Sequence, residues 1–150
     1  MTDVHCHLLP QIDDGSQSVE DSLELFKEAY YSGFTQIINT SHYISNGRFR
    51  TNAKEREKLI IAFQELLNNQ NINLKLYNGA EAYLSTDLPE LFENGTIPTL
   101  ANSRYVLFEL PMSQKPLYTE DIINQLEGGI RHGADLSHYE QGIILIPDRY

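Results

Sequence analysis

The sequence predicts an α/β fold, on three observations. Strand-like and helix-like stretches alternate over the first 127 residues. The composition, 41% hydrophobic and 21% charged over 150 residues, suits one domain with a core of its own. The residues able to carry chemistry recur at intervals of 37, 39 and 28 positions, each about one β/α unit.

Taken in order, the elements follow from local signals. A short strand ends at Val4. Ser18, with Asp21 in the first turn, caps a helix whose Val19, Ser22, Leu23, Phe26, Ala29 and Tyr30 share a face, and Gly33 stops it. Residues 34–39 are short and Ile-rich, as in a buried strand, and residues 40–51 form a polar loop. Residues 52–69 are a second helix with Leu59, Ile60, Phe63, Leu66 and Leu67 as its buried stripe. A third strand falls within 73–83. Asp87 caps a short helix that Asn94-Gly95 ends, residues 105–110 make a fourth strand, and Thr119 caps a last short helix over 120–127. Residues 130–140 have neither strand nor helix period. The apolar run 142–146 could be a strand, but no helix follows to cover it.

Charge and targeting signals narrow the function. Eleven Lys and Arg stand against 21 Asp and Glu, a net charge of -10, which repels nucleic acid and anionic lipid. The start carries no basic and apolar leader, and no apolar run approaches the roughly 20 residues of a membrane span. A cytoplasmic protein is expected, with no nucleic-acid partner and no membrane insertion. A single Cys fits a reducing compartment.

The chemistry lies in Asp3-Val4-His5-Cys6-His7, followed by Asp13-Asp14-Gly15. Alternation along a strand puts both imidazoles on one side, where two nitrogens reach one ion. His42, Glu81 and Glu109 are each expected at the C-terminal end of a strand, where parallel β/α folds gather their active-site side chains. Glu81 and Glu109 sit among apolar neighbours, so each carboxylate needs a ligand or an ion pair. Asp13-Asp14-Gly15 reads equally well as a turn. Mixed imidazole and carboxylate donors suit Mn, Fe or Zn, and clustered carboxylates suit a site with two or more ions that hydrolyses a phosphate or acyl bond. Arg48 and Arg50, in the loop after His42, are candidates for binding phosphate. Cys6 is not the nucleophile of a C-x5-R loop, since Ile12 stands where the arginine would be.

Four blocks resemble the PHP (polymerase and histidinol phosphatase) superfamily: Asp-Val-His-Cys-His-Leu-Leu-Pro-Gln-Ile-Asp-Asp-Gly at 3–15, Asn-Thr-Ser-His at 39–42, Asn-Gly-Ala-Glu at 78–81 and Leu-Phe-Glu-Leu-Pro at 107–111. Within it they are most similar to the bacterial manganese-dependent protein-tyrosine phosphatases of capsule and exopolysaccharide operons. The resemblance implies a distorted (β/α)7 barrel and a centre of two or three Mn2+ ions. It also implies a phosphotyrosine protein substrate, the tail of a partner tyrosine autokinase. By the same resemblance His5, His7, Asp14, His42, Glu81 and Glu109 are metal ligands. Ser137-His138-Tyr139-Glu140-Gln141 stands where the family has Ala-His-x-Glu-Arg, so His138 fits a ligand while Gln141 replaces a substrate-binding arginine. The family's later Asp-x-His pair has no counterpart before Tyr150.

A truncated member is therefore expected, with 1–127 as the N-terminal part of a barrel and 128–150 divergent. Its first and fourth strands would be open edges that a homo-oligomer could cover. Two other readings remain beside the protein phosphatase. One is an inactive fragment or a metal- or partner-binding module; the other is a small-molecule phosphatase of the histidinol-phosphate type.

Overall fold

A computed structural model of the chain describes residues 1–128 and 141–145. Two sheets organise it. The first joins β1 (Thr2–Cys6), β2 (Gln36–Asn39) and β4 (Lys75–Asn78) in the order β1-β2-β4, all parallel. The second joins β3 (His42–Tyr43), β5 (Glu81–Tyr83), β6 (Tyr105–Glu109) and β7 (Gln141–Leu145) in that order, parallel except for β7 against β6. The α/β class is as expected, with one antiparallel pair added.

The helices α1 (Val19–Tyr31) and α2 (Ala53–Asn69) form where their caps place them. Ser18 accepts from the Asp21 amide, and Gly33 beyond the end takes a φ of 96°, open to glycine at no steric cost. Asn52 and Glu55 make a reciprocal capping box at the start of α2. Asn52→Ala should cost about 1 kcal/mol of stability, read as a lower midpoint in urea with an unchanged slope.

Burial sorts the expected stripes. Phe26, Ile37, Ile60, Phe63, Leu67, Leu74 and Leu76 pack together under the first sheet. Val19 and Leu66 are partly exposed instead, and Arg56 takes the inward position one turn before Ile60. A second cluster under the other sheet gathers Ala82, Leu84, Val106, Phe108, Ile122, Ile123 and Leu126, with α3 (Leu88–Glu93) and α4 (Thr119–Leu126) over it.

Several local expectations change. β1 runs to Cys6, past Val4, because Cys6 still pairs with Asn39. The third strand is two strands, broken at Gly79-Ala80, and the polar loop begins with β3 after a matching break at Thr40-Ser41. A Cβ at Gly79 would lie 2.9 Å from Ile38 Cγ2 and 3.1 Å from the Asn39 carbonyl, so the chains approach closely where both breaks occur. Asp87 is the N-cap residue of α3, as expected, but its side chain makes no capping bond. Its carboxylate accepts from the Ser45 and Ser85 hydroxyls and so ties the loops after β3 and β5 together. Tyr118, not Thr119, is the N-cap of α4, because the Thr119 hydroxyl donates to the Pro116 carbonyl at 2.7 Å. β6 is not an open edge: β7 pairs along all five of its residues.

Candidate metal centre

The site forms where the two sheets meet. β1 carries His5, and His7 follows immediately. Beyond it the chain turns on Asn39, whose side-chain oxygen accepts from the Leu8 and Leu9 amides at 2.8 and 3.0 Å. The turn brings residues 13–15 back over His7. Room there is minimal: a Cβ on Gly15 would sit 2.3 Å from the His7 carbonyl oxygen and 2.8 Å from its Cβ. Gly15→Ala should therefore push His7 aside. The expected result is metal affinity lowered by roughly the 10–100-fold of an outer-shell change, measurable by equilibrium dialysis.

Three donor atoms converge first. His5 Nε2 and His7 Nε2 each lie 3.1 Å from Glu81 Oε2, and 3.3 Å from each other. Ligands on one ion with bonds of about 2.0–2.2 Å stand about 3 to 3.4 Å apart, so this triangle has the dimensions of one coordination face. Its electrostatics agree. The Asp13 carboxylate is 2.8 Å from His7 Nδ1, which fixes that nitrogen as an N–H donor and turns Nε2 toward Glu81. The 3.1 Å approach calls for positive charge between the two atoms, a proton on His7 Nε2 in the metal-free chain or a bound cation in its place.

A second group centres on His42. Its Nδ1 is buried with no hydrogen-bond partner among the described residues, 3.3 Å from Glu109 Oε2 and 3.5 Å from Glu81 Oε2. Its Nε2 is 3.7 Å from Asp14 Oδ1. A buried nitrogen without a partner among the described residues, within 3.5 Å of two carboxylates, is an arrangement that a bound cation would satisfy. His5, His7 and Glu81, then His7, Asp14 and His42, then His42, Glu81 and Glu109 make three overlapping triads whose ligand atoms lie within 4.8 Å of one another. The donor set, three imidazoles and three carboxylates, fits divalent transition metals.

The pKa values have the causes this geometry supplies. Burial would pull His7 down, but hydrogen bonds and charge from Asp13 and Glu81 push it up to about 9. Burial would raise Glu81, yet His5 and His7 hold it down at about 2. Burial and the Glu81 charge raise Glu109. Burial, then the Asp3 charge, push the Cys6 thiol up to about 12, so Cys6 packs behind the histidines as an unreactive thiol.

The structure brings together His5, His7, Asp14, His42, Glu81 and Glu109. Two of them are not at C-terminal strand ends: His42 opens β3 and Glu81 opens β5, where they are register partners. The two arginines separate. Arg48 lines a cleft of about 310 Å³ beside Asp13, with Gln11, Gln17 and Thr51, and its guanidinium lies 5.0 Å from the Phe49 ring centre. Arg50 is outside that lining, and its charge reaches Asp87. His138 lies outside the described residues.

Sequence reasoning passed over Asp13. It is buried and accepts from His7 Nδ1, the Gly15 amide and the His42 amide, so one carboxylate orients two of the histidines. The doubled Asp-Asp before glycine was its signal, read for Asp14 alone.

The chain is similar to known proteins. The family described as capsular polysaccharide synthesis, CpsB/CapC, matches residues 1–140. The tyrosine-protein phosphatase CpsB of Streptococcus pneumoniae is 36% identical over 112 residues, 75% of this chain and 46% of that protein. The tyrosine-protein phosphatase YwqE of Bacillus subtilis is 28% identical over 127 residues, 85% of this chain and 50% of its own. A solved structure from work on YwqE from Bacillus subtilis and CpsB from Streptococcus pneumoniae, described as metal-dependent tyrosine phosphatases, superposes with a TM-score of 0.79 at 27% identity. It covers 86% of this chain and 52% of the other. The chain spans about half the length of the curated relatives it matches.

Proposed function

The chain belongs to the CpsB/CapC family of capsular polysaccharide synthesis, as the PHP resemblance implied, and from that membership we propose a metal-dependent phosphatase that acts on phosphotyrosine in protein. The observation that carries the proposal is the convergence of three imidazoles and three carboxylates in overlapping triads, with the buried His42 Nδ1 unpartnered among the described residues. In this reading His5, His7, Asp14, His42, Glu81 and Glu109 hold two or three divalent ions, Mn2+ first among them. Divalent ions there supply Lewis acidity for a water nucleophile and neutralise the phosphoryl oxygens.

The chain's own residues do the rest. Asp13 holds the His7 and His42 donors in place, and the exposed Arg48 guanidinium, at the cleft mouth, binds a phosphate oxygen and steers an anion toward an otherwise acidic protein. Arg50 serves as a second, outer cation. The parallel pairs among β1 to β6, with about half of a solved relative covered, support reading 1–127 as part of a distorted (β/α)7 barrel; the reading takes 128–150 as a divergent segment, although the family match extends to residue 140. The substrate of the reading is a tyrosine autokinase of the capsule system, in the cytoplasm. No helix among the described residues is long and apolar enough to cross a membrane.

Purified chain supplied with Mn2+ should release phosphate from p-nitrophenyl phosphate and from a phosphotyrosine peptide, and His42→Ala should abolish both. Phosphate release from histidinol phosphate but not from the peptide would reassign the substrate. No release with Mn2+, Fe2+ or Zn2+ would leave a metal-binding module in place of an enzyme.

A further inference from the structure

Arg56 is the largest fully buried side chain among the described residues, with none of its surface in contact with solvent. It occupies the inward stripe of α2 with Ile60, Phe63 and Leu67, where an aliphatic side chain would pack at no electrostatic cost. A buried guanidinium is costly unless its donors are met, and here four contacts engage all three of its nitrogens. Nε donates to the Thr51 carbonyl at 2.7 Å; Nη1 donates to Ser41 at 2.7 Å and Gly79 at 3.1 Å; Nη2 donates to His42 at 2.8 Å. All four acceptors are backbone carbonyls.

Their positions are the informative part. Ser41 and His42 lie at the break between β2 and β3, and Gly79 at the break between β4 and β5. One planar fork thus bridges both interruptions, and from their far sides project His42 and Glu81. The two breaks are also joined directly, by the Glu81 amide donating to the Thr40 carbonyl at 3.0 Å. The Ser41–His42 peptide is gripped at both ends: its carbonyl takes the Arg56 bond, and its amide donates to Asp13 Oδ2 at 2.7 Å. That same oxygen is the partner of His7 Nδ1. A buried cation and a buried anion therefore act on one another through a single peptide group, and the chain of contacts runs from Arg56 to His42, Asp13 and His7.

We infer that Arg56 is a positioning residue of the metal centre, its guanidinium fork setting the backbone from which His42 and Glu81 present their donors. The inference rests on the metal-binding reading of those residues. A core residue would act on stability alone. A positioning residue changes the geometry and affinity of the bound ion, because outer contacts that orient ligands commonly alter affinity by about 10–100-fold.

The test is a Co2+ titration of the 150-residue chain followed by visible d–d absorption, which reports ligand geometry apart from activity. Arg56→Lys keeps the charge but loses the fork. It should bind Co2+ at least about 10-fold more weakly, with a shifted absorption band. Leu67→Ala, on the same buried face of α2, should lower the melting temperature and leave both affinity and band unchanged. If Arg56→Lys does not fold, Arg56→Met, which keeps an apolar stem, should show the same loss. The inference is overturned if the folded Arg56 variant binds Co2+ with the original affinity and spectrum. It is overturned as well if Leu67→Ala weakens binding equally, or if neither Arg56 variant folds with Co2+ present, since the role is then structural. An unaltered chain that binds no Co2+ removes the metal reading itself; an unchanged Arg56→Lys removes only this inference.

Discussion

Glu81→Gln is expected to abolish Mn2+-dependent phosphate release and to strip the chain of most of its bound metal. Glu81 is the shared vertex of the site: one oxygen, Oε2, faces His5, His7 and His42 at 3.1, 3.1 and 3.5 Å. The amide has the same shape but no charge, so the His5–His7 triad loses its only anion and the His42–Glu109 triad loses one of its two. Outer-shell substitutions cost about 10–100-fold, and loss of a shared anionic donor should exceed that range. Equilibrium dialysis against Mn2+ and p-nitrophenyl phosphate turnover measure it, with circular dichroism to establish that the fold persists. A Glu81→Gln chain that keeps its ions and turns over normally would rule out the arrangement.

The second large effect is Asp13→Asn. The Asp13 carboxylate accepts three hydrogen bonds, from His7 Nδ1 at 2.8 Å, the His42 amide at 2.7 Å and the Gly15 amide at 3.0 Å. Burial alone would raise its pKa, but these donors hold it below the usual carboxylate range. An asparagine can keep some of the bonds but none of the charge, and breaking a buried pair costs roughly 3–5 kcal/mol. Weaker Mn2+ binding, by about 10–100-fold, should accompany the lower stability.

The pair also has a pH signature in chelator-treated protein. His7 rises from 6.5 in the unfolded chain to about 9 in the fold, so its contribution is whole below pH 6.5 and is lost as pH rises through 9. Asp13 is depressed below 3.8, so its contribution is present above that value and lost as pH falls through the lowered one. Urea midpoints across pH should therefore fall on the alkaline side between about 6.5 and 9 in the unaltered chain. The fall should be much shallower in Asp13→Asn, and an equal fall in both would separate His7 from Asp13.

Particular residues show how far the sequence could be read. His5 and His7 were legible because strand alternation is a property of neighbouring residues. Glu81 and Glu109 were legible because a carboxylate among apolar residues needs a partner. Asp13 and Arg56 were not. Asp13 looks like a turn residue, and Arg56 looks like a solvated charge on a helix; their roles exist only once α2, β3 and the turn after β1 meet. The C-terminal end rule placed His42 and Glu81 wrongly for a similar reason. Nothing local says that a strand will be interrupted and resume in another sheet.

By itself the sequence determined the helices, the caps of α1 and α2, the α/β class and which residues have the chemistry to hold a cation. Helix signals are complete within a few residues, since the backbone bonds join neighbours along the chain and Ser18 or Asn52 needs only its own next turn. The tertiary structure alone decided the division into two sheets, the antiparallel turn of β7 against β6, and the junction at which Arg56 and Asp13 hold one peptide between them. Strand partners and the donors that make a buried charge tolerable come from distant segments, so they take their meaning only when those segments pack.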